Sequence, residues 1–119
     1  ATYVLGVTAM ENGDFEGAVA YFEEVEFEDV MMGTLVLGLI GDCYVELGKY
    51  EEAAAQFETA AVREPNEFTS PMMLKKAGIV YQELGQNDKA VIAYQKIKDE
   101  WPTSTEGSDI DKYLIRAQN

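Results

Sequence analysis

Few residues in this chain could do chemistry. There is no histidine, which removes the commonest general base and the commonest transition-metal ligand. The single cysteine, Cys43, lies between Asp42 and Tyr44. It reads as a small buried hydrophobe rather than a nucleophile, and one cysteine cannot form an intrachain disulfide. The acidic pairs Glu23–Glu24 and Glu51–Glu52 have no His or Cys partner and read as solvated helix faces. Asp109 and Asp111 could be imagined around a cation. They lack further oxygen ligands and a loop, and Asp in a first helical turn is favourable to the dipole by itself. The glycines stand singly, so none forms a phosphate-cradling loop. The expectation is a protein that is not an enzyme and takes no metal or cofactor.

Composition excludes further classes. The 119 residues carry 22 Asp and Glu against 9 Lys and Arg, a net charge of −13. Nucleic acids and anionic membrane surfaces are bound through Lys and Arg, so neither fits such a chain. An acidic surface is accounted for by solubility alone and does not by itself require a basic partner. The longest uncharged run, Val30–Gly41, has 12 residues, too few to insert across a bilayer. The length suits one domain with a continuous core. The chain begins at Ala1 without Met and inside a helical pattern, as expected of an excised fragment.

The elements that position these residues are organised around 34–65. Leu37, Ile40, Gly41, Tyr44, Leu47, Gly48, Tyr50, Ala53, Phe57, Ala60 and Pro65 recur at offsets that predict two helices, about Thr34–Leu47 and Tyr50–Arg63. Gly41 and Ala53 are small where the helices must approach, with Tyr44 and Phe57 as large fillers. Gly48 suits a turn that Cβ would hinder, and Pro65 cannot continue a helix. Residues 1–30 repeat the pattern at an offset of 35, through Leu5, Gly6, Gly13, Phe15, Ala18 and Phe22. Ala9 replaces the Tyr and Val30 the Pro, which predicts an irregular turn over Glu28–Gly33. Residues 71–102 repeat it at an offset of 37, through Leu74, Ala77, Gly78, Tyr81, Leu84, Gly85, Ala90, Tyr94 and Pro102. Ser70 and Pro71 read as N-cap and first helical residue. Ile110, Tyr113, Leu114 and Ala117 then share one helix face.

This pattern resembles the tetratricopeptide repeat (TPR), a 34-residue helix–turn–helix unit. The resemblance implies an all-α, right-handed TPR superhelix (an α-solenoid) of three repeats plus a C-terminal capping helix. It forms one domain over 1–119, with repeats at about 1–30, 34–67 and 71–102 and the capping helix at about 104–118. TPR arrays bind segments of other proteins in the concave groove lined by the first helix of each repeat. Carrying those positions over gives Tyr3, Val4 and Val7, then Leu35, Leu39, Asp42 and Glu46, then Met72, Lys76, Ile79 and Glu83. Met10, Glu11, Gly38, Val45, Lys75 and Gln82 fall on the same faces. One TPR subgroup grips a terminal carboxylate with Lys, Asn and Arg. The matching residues here are Tyr3, Val7, Leu39, Met72 and Lys76, so only Lys76 could serve and the carboxylate clamp is rejected.

Glu67-Phe68-Thr69-Ser70-Pro71 and Asp109-Ile110-Asp111-Lys112-Tyr113-Leu114 also resemble segments of envelope TPR proteins of Gram-negative bacteria. That implies a domain on the periplasmic side of the inner membrane, held by an N-terminal anchor outside this fragment and engaged in envelope protein handling or assembly. A cytoplasmic location is the alternative. Helix 34–47 carries Leu35, Leu37, Leu39, Ile40, Val45 and Leu47 nearly all round, and such a helix should be covered on every side. The expected function is a protein–protein interaction scaffold. Its apolar, acid-rimmed groove takes an amphipathic helix or extended apolar segment. The alternatives are a homodimer or other homo-oligomer formed through the same patch, and a regulatory or docking domain of a larger enzyme.

Overall fold

Three glycines set the direction of the chain. Gly13, Gly48 and Gly85 sit at φ of 79°, 74° and 74°, the left-handed region that Cβ disfavours. At each one the chain leaves a helix through the same pair of hydrogen bonds. Gly48 N–H donates to Val45 O (3.0 Å) and Lys49 N–H to Tyr44 O (2.8 Å). Asp14 N–H to Ala9 O and Gln86 N–H to Tyr81 O repeat the second of these at 2.8 Å. This is the Schellman arrangement that satisfies the last carbonyls of a helix.

The computed structural model describes residues 2–26 and 30–119. Among them the chain is helical throughout: α1 (Thr2–Glu11), α2 (Phe15–Glu23), α3 (Val30–Glu46), α4 (Tyr50–Arg63), α5 (Thr69–Glu83), α6 (Asn87–Glu100) and α7 (Ile110–Gln118), with a short 3-10 turn at Gly107–Asp109. Successive helices pack as antiparallel neighbours, and α3 also touches α5. The result is a solenoid of three hairpins closed by α7, as expected from the sequence.

Within each hairpin one glycine receives one aromatic ring. A Cβ on Gly6 would meet the ring of Phe22, on Gly41 that of Phe57 and on Gly78 that of Tyr94. All three rings are 0–1% exposed. The close approach is therefore glycine against an aromatic residue; Ala53, expected opposite Gly41, is buried but is not what fills that space. Between hairpins, Met73 of α5 closes over Gly38 of α3. The apolar interior divides into a cluster over α1–α3, around Phe22, Val36 and Ile40, and one over α4–α7, around Phe57, Tyr94 and Ile97. Tyr44 packs against both.

Several local expectations change. The irregular turn expected over Glu28–Gly33 is helical from Val30 onward, because α3 starts four residues before Thr34; Glu28 and Asp29 lie outside the described residues. Ser70 is not the N-cap of α5. Its hydroxyl donates to Ala61 O (2.7 Å) and accepts from Asn66 N–H (3.0 Å), tying α5 back to α4. Asn66 takes the capping role, accepting from Phe68 N–H (2.9 Å) and Thr69 N–H (2.8 Å) at Oδ1 while Nδ2 donates to Glu64 O and Thr69 Oγ1. Leu5 repeats the position of Ile40 but is 48% exposed against 4%. Ile40 lies within the apolar cluster that α3 shares with α1 and α2.

The closing helix buries Ile110, Leu114 and Ala117 and lays Tyr113 against Tyr94 at 5.6 Å between ring centres. Asp111 pairs with Lys98 (2.9 Å), and Asp109 lies between Lys75 (3.9 Å) and Lys112 (3.6 Å). The close Lys98–Asp111 pair ties α7 to α6, while Asp109 has only longer contacts with its lysines and keeps a buried Oδ1 without a hydrogen-bond partner.

Candidate functional site

The first helix of each hairpin presents one face to a cleft of about 410 Å³. Its lining comes from five helices: Met10 of α1, Phe15 of α2, Asp42, Val45 and Glu46 of α3, Phe57 of α4, and Lys76, Ile79 and Val80 of α5. The helical repeat puts Asp42, Val45 and Glu46 on one side of α3, and Lys76, Ile79 and Val80 on one side of α5. Apolar atoms make most of the surface, and one charged contact crosses it. Lys76 Nζ donates to both oxygens of Asp42, at 2.9 and 3.2 Å, and lies 5.5 Å from the centre of the Phe57 ring. This half-exposed pair joins α3 to α5 within the lining of the cleft. Asp42 is therefore not a free acidic group, and Lys76 is not a free cation waiting for a carboxylate.

Of the residues expected at the groove, Asp42, Glu46, Lys76 and Ile79 line this cleft together with Met10 and Val45. Tyr3 lies elsewhere, its ring 6.1 Å from that of Phe22, in a separate hollow with Thr2, Glu24, Val25, Glu26 and Met32. Val4 is 62% exposed at the open end of α1. Val7 and Leu39 are half-buried against the α1–α3 cluster, and Met72 against the α4–α7 cluster. Leu35 is 38% exposed, near the start of α3. Glu83 is exposed one turn beyond Ile79. Gly38 is covered by Met73, and Lys75 lies 4.4 Å from the centre of the Tyr113 ring. Phe15, Phe57 and Val80 were not anticipated. Phe57 belongs to the second helix of its hairpin, yet its ring reaches the cleft because Gly41 leaves a gap in the first.

The titratable groups nearby are structural. Burial pushes the Cys43 thiol up to about 11, with Asp42 and Glu46 adding to the shift; a thiol so held is not a nucleophile at neutral pH. Tyr81 is pushed up to about 12 by burial and by its hydrogen bond to Glu58. Tyr94 is pushed up to about 12 by burial and by Tyr113, against a smaller opposing effect of Arg116. Among the described residues no group of three or more His, Cys, Asp or Glu is gathered as a metal site. No described helix is long and apolar enough to cross a membrane.

Sequence comparison matches a tetratricopeptide repeat family model to residues 9–70, over half the chain, and a second tetratricopeptide repeat model to residues 74–104. The chain belongs to the tetratricopeptide repeat family. No curated protein matches this TPR chain at a significant level. Among solved structures it is similar to the TPR2AB domain of yeast Sti1 in its complex with pHSP90, with a TM-score of 0.75 and 20% identity. The match covers 98% of this chain and 45% of that one. At this identity the likeness speaks for the fold. The TPR unit explains why glycine and aromatic residue recur together: each repeat needs the same close approach between its own two helices.

Proposed function

We propose that this TPR chain is a protein-interaction module that holds a segment of another protein in the cleft between α1, α3 and α5. The observation that carries this reading is the cleft itself. It is an open, mostly apolar depression lined by the first helices of all three repeats together with Phe15 and Phe57 of the second helices, with Ile79 42% exposed within it. Apolar side chains left in contact with water at the centre of a rigid solenoid gain free energy when a partner covers them. The Sti1 TPR domains, seen with a pHSP90 ligand, support the class of partner and not its identity. Nothing in the cleft suits catalysis: its charged groups are one closed ion pair and one exposed carboxylate, with no activated nucleophile or base. The reading is one of binding, carried by the apolar cleft. An envelope setting rests on the resemblance of 67–71 and 109–114 and belongs to the same proposal.

The test is capture of partners from an extract of the source cell by wild type, Ile79→Ser and Ile92→Ser. Ile92 is 69% exposed in a different hollow, between α4, α5 and α6, and serves as the control. Captured proteins should disappear with Ile79→Ser and persist with Ile92→Ser. The reverse would move the binding site to the opposite face of the solenoid.

A further inference from the structure

The cleft has a charged edge that the fold does not explain. Glu11, Glu46 and Glu83 are the last residues of α1, α3 and α5, at the repeat offsets of 35 and 37. Each is exposed, and none makes an ion pair among the described residues. Glu46 lines the cleft, Glu11 follows the lining residue Met10, and Glu83 stands one turn beyond Ile79 on the same helix face. A carboxylate at a helix C-terminus faces the negative end of the dipole and destabilises the helix, and no basic residue lies in the last turn of α1, α3 or α5.

Among the described residues no ion pair reaches this edge. Lys76 is held by Asp42, Lys75 and Lys112 flank Asp109, and Lys98 is held by Asp111. The charge is also unevenly spread. Residues 1–67 contain 15 Asp and Glu against 2 Lys and Arg, whereas residues 68–119 contain 7 of each. The whole net charge of −13 therefore sits on the part that supplies α1 to α4.

We infer that the occupant of the cleft is a basic amphipathic segment of another protein. Its apolar side chains cover Met10, Val45 and Ile79, and its Lys or Arg residues run along the Glu11–Glu46–Glu83 edge. The inference rests on the cleft reading above and adds the partner's charge and its placement. The basic side chains are densest where the segment crosses α1 and α3, because that end carries the negative charge. Complementary charge at a rim raises the association rate and rejects acidic competitors. The unpaired glutamates, unfavourable in the free protein, are relieved when the segment binds.

The experiment uses two synthetic peptides with the same Leu and Ala stripe, one with Lys along an edge and its twin with Glu there, measured by fluorescence anisotropy at low and high salt. The proteins are wild type, the triple variant Glu11→Gln/Glu46→Gln/Glu83→Gln, a charge-matched control Glu16→Gln/Glu51→Gln/Glu64→Gln, and Ile79→Ser. The Lys peptide should bind wild type and the Glu peptide should not. The triple variant should weaken the Lys peptide by about tenfold at low salt, from three exposed ion pairs of a few-fold each. Its salt dependence should flatten, while it melts no lower than wild type. The control triple should weaken binding much less. Equal binding of both peptides, or equal losses in the two triple variants, overturns the charged-edge inference while leaving the cleft reading standing if Ile79→Ser still weakens binding. Binding indifferent to Ile79→Ser, or absent for both peptides, overturns both.

Discussion

Replacing Gly41 by alanine tests the contact on which each repeat is built. The new Cβ would stand 2.6 Å from Cε1 and 2.8 Å from Cδ1 of Phe57, where carbon atoms rest comfortably at about 3.5–4.0 Å. The ring would have to withdraw by about 1 Å, and at 1% exposure it has no free space to enter. Overpacking of this kind costs about 1–3 kcal/mol. Alanine is favoured over glycine inside a helix by about 1 kcal/mol, so at the middle of the range the clash wins by about 1 kcal/mol. For a domain of this size that lowers the melting temperature by roughly 4 °C. Phe57→Leu removes two of the three colliding atoms, Cε1 and Cζ, and leaves only a Cδ1 that a flexible side chain can turn aside. In that background Gly41→Ala should become neutral or stabilising, by up to about 1 kcal/mol. The assay is a double-mutant cycle from thermal or urea unfolding followed by circular dichroism. If Gly41→Ala costs the same in both backgrounds, or if Ala53→Gly rescues it instead, the glycine–aromatic contact is not what sets the helix spacing.

Cutting the chain after Pro102 should expose Tyr94 and Ile97 and remove the buried Ile110 and Leu114, lowering stability by about 3 kcal/mol or more. Light scattering should detect association, and hydrogen exchange should quicken first in α5 and α6. Asn66→Ala should cost about 1–2 kcal/mol, because it removes the cap on Phe68 and Thr69 N–H; Asn66→Asp, which keeps the acceptor, should cost less in the same melt. Alkaline pH should unfold the protein early. Cys43, Tyr81 and Tyr94 keep their protons in the folded chain to about 11, 12 and 12, against ordinary values of 9.0, 10.0 and 10.0. Their contribution is therefore complete below about pH 9 and is lost as pH rises through the folded values. Cys43→Ala should flatten that loss between about pH 9 and 11 in urea titrations. Lys76→Ala should lower stability by about 1 kcal/mol at most, since the half-exposed pair with Asp42 is partly screened; a larger loss in the melt would show that the pair is essential to α3–α5 packing.

The sequence by itself determined whatever depends on a few neighbouring residues. Gly13, Gly48 and Gly85 announced the three turns because only glycine enters the left-handed region without strain. Tyr50–Arg63 was readable to the residue, bounded by that turn and by Pro65. The spacing of Gly6, Gly41 and Gly78 from Phe22, Phe57 and Tyr94 repeated because the same approach is made three times, and the apolar face of α7 followed from helical periodicity. The tertiary structure decided what passes between repeats. Only the stacking of α5 on α3 brings Lys76 to Asp42 and Met73 over Gly38, and only the packing of helix on helix sets the Phe57 ring against Gly41, sends Tyr3 to Phe22 and leaves Leu5 exposed. Asn66 rather than Ser70 caps α5 because the hydroxyl of Ser70 finds the carbonyl of Ala61 in the preceding helix. Periodicity within a helix says which side chains share a face. It does not contain the rotation and shift of one helix against another, and those choose which members of a face meet a partner, a neighbour or water.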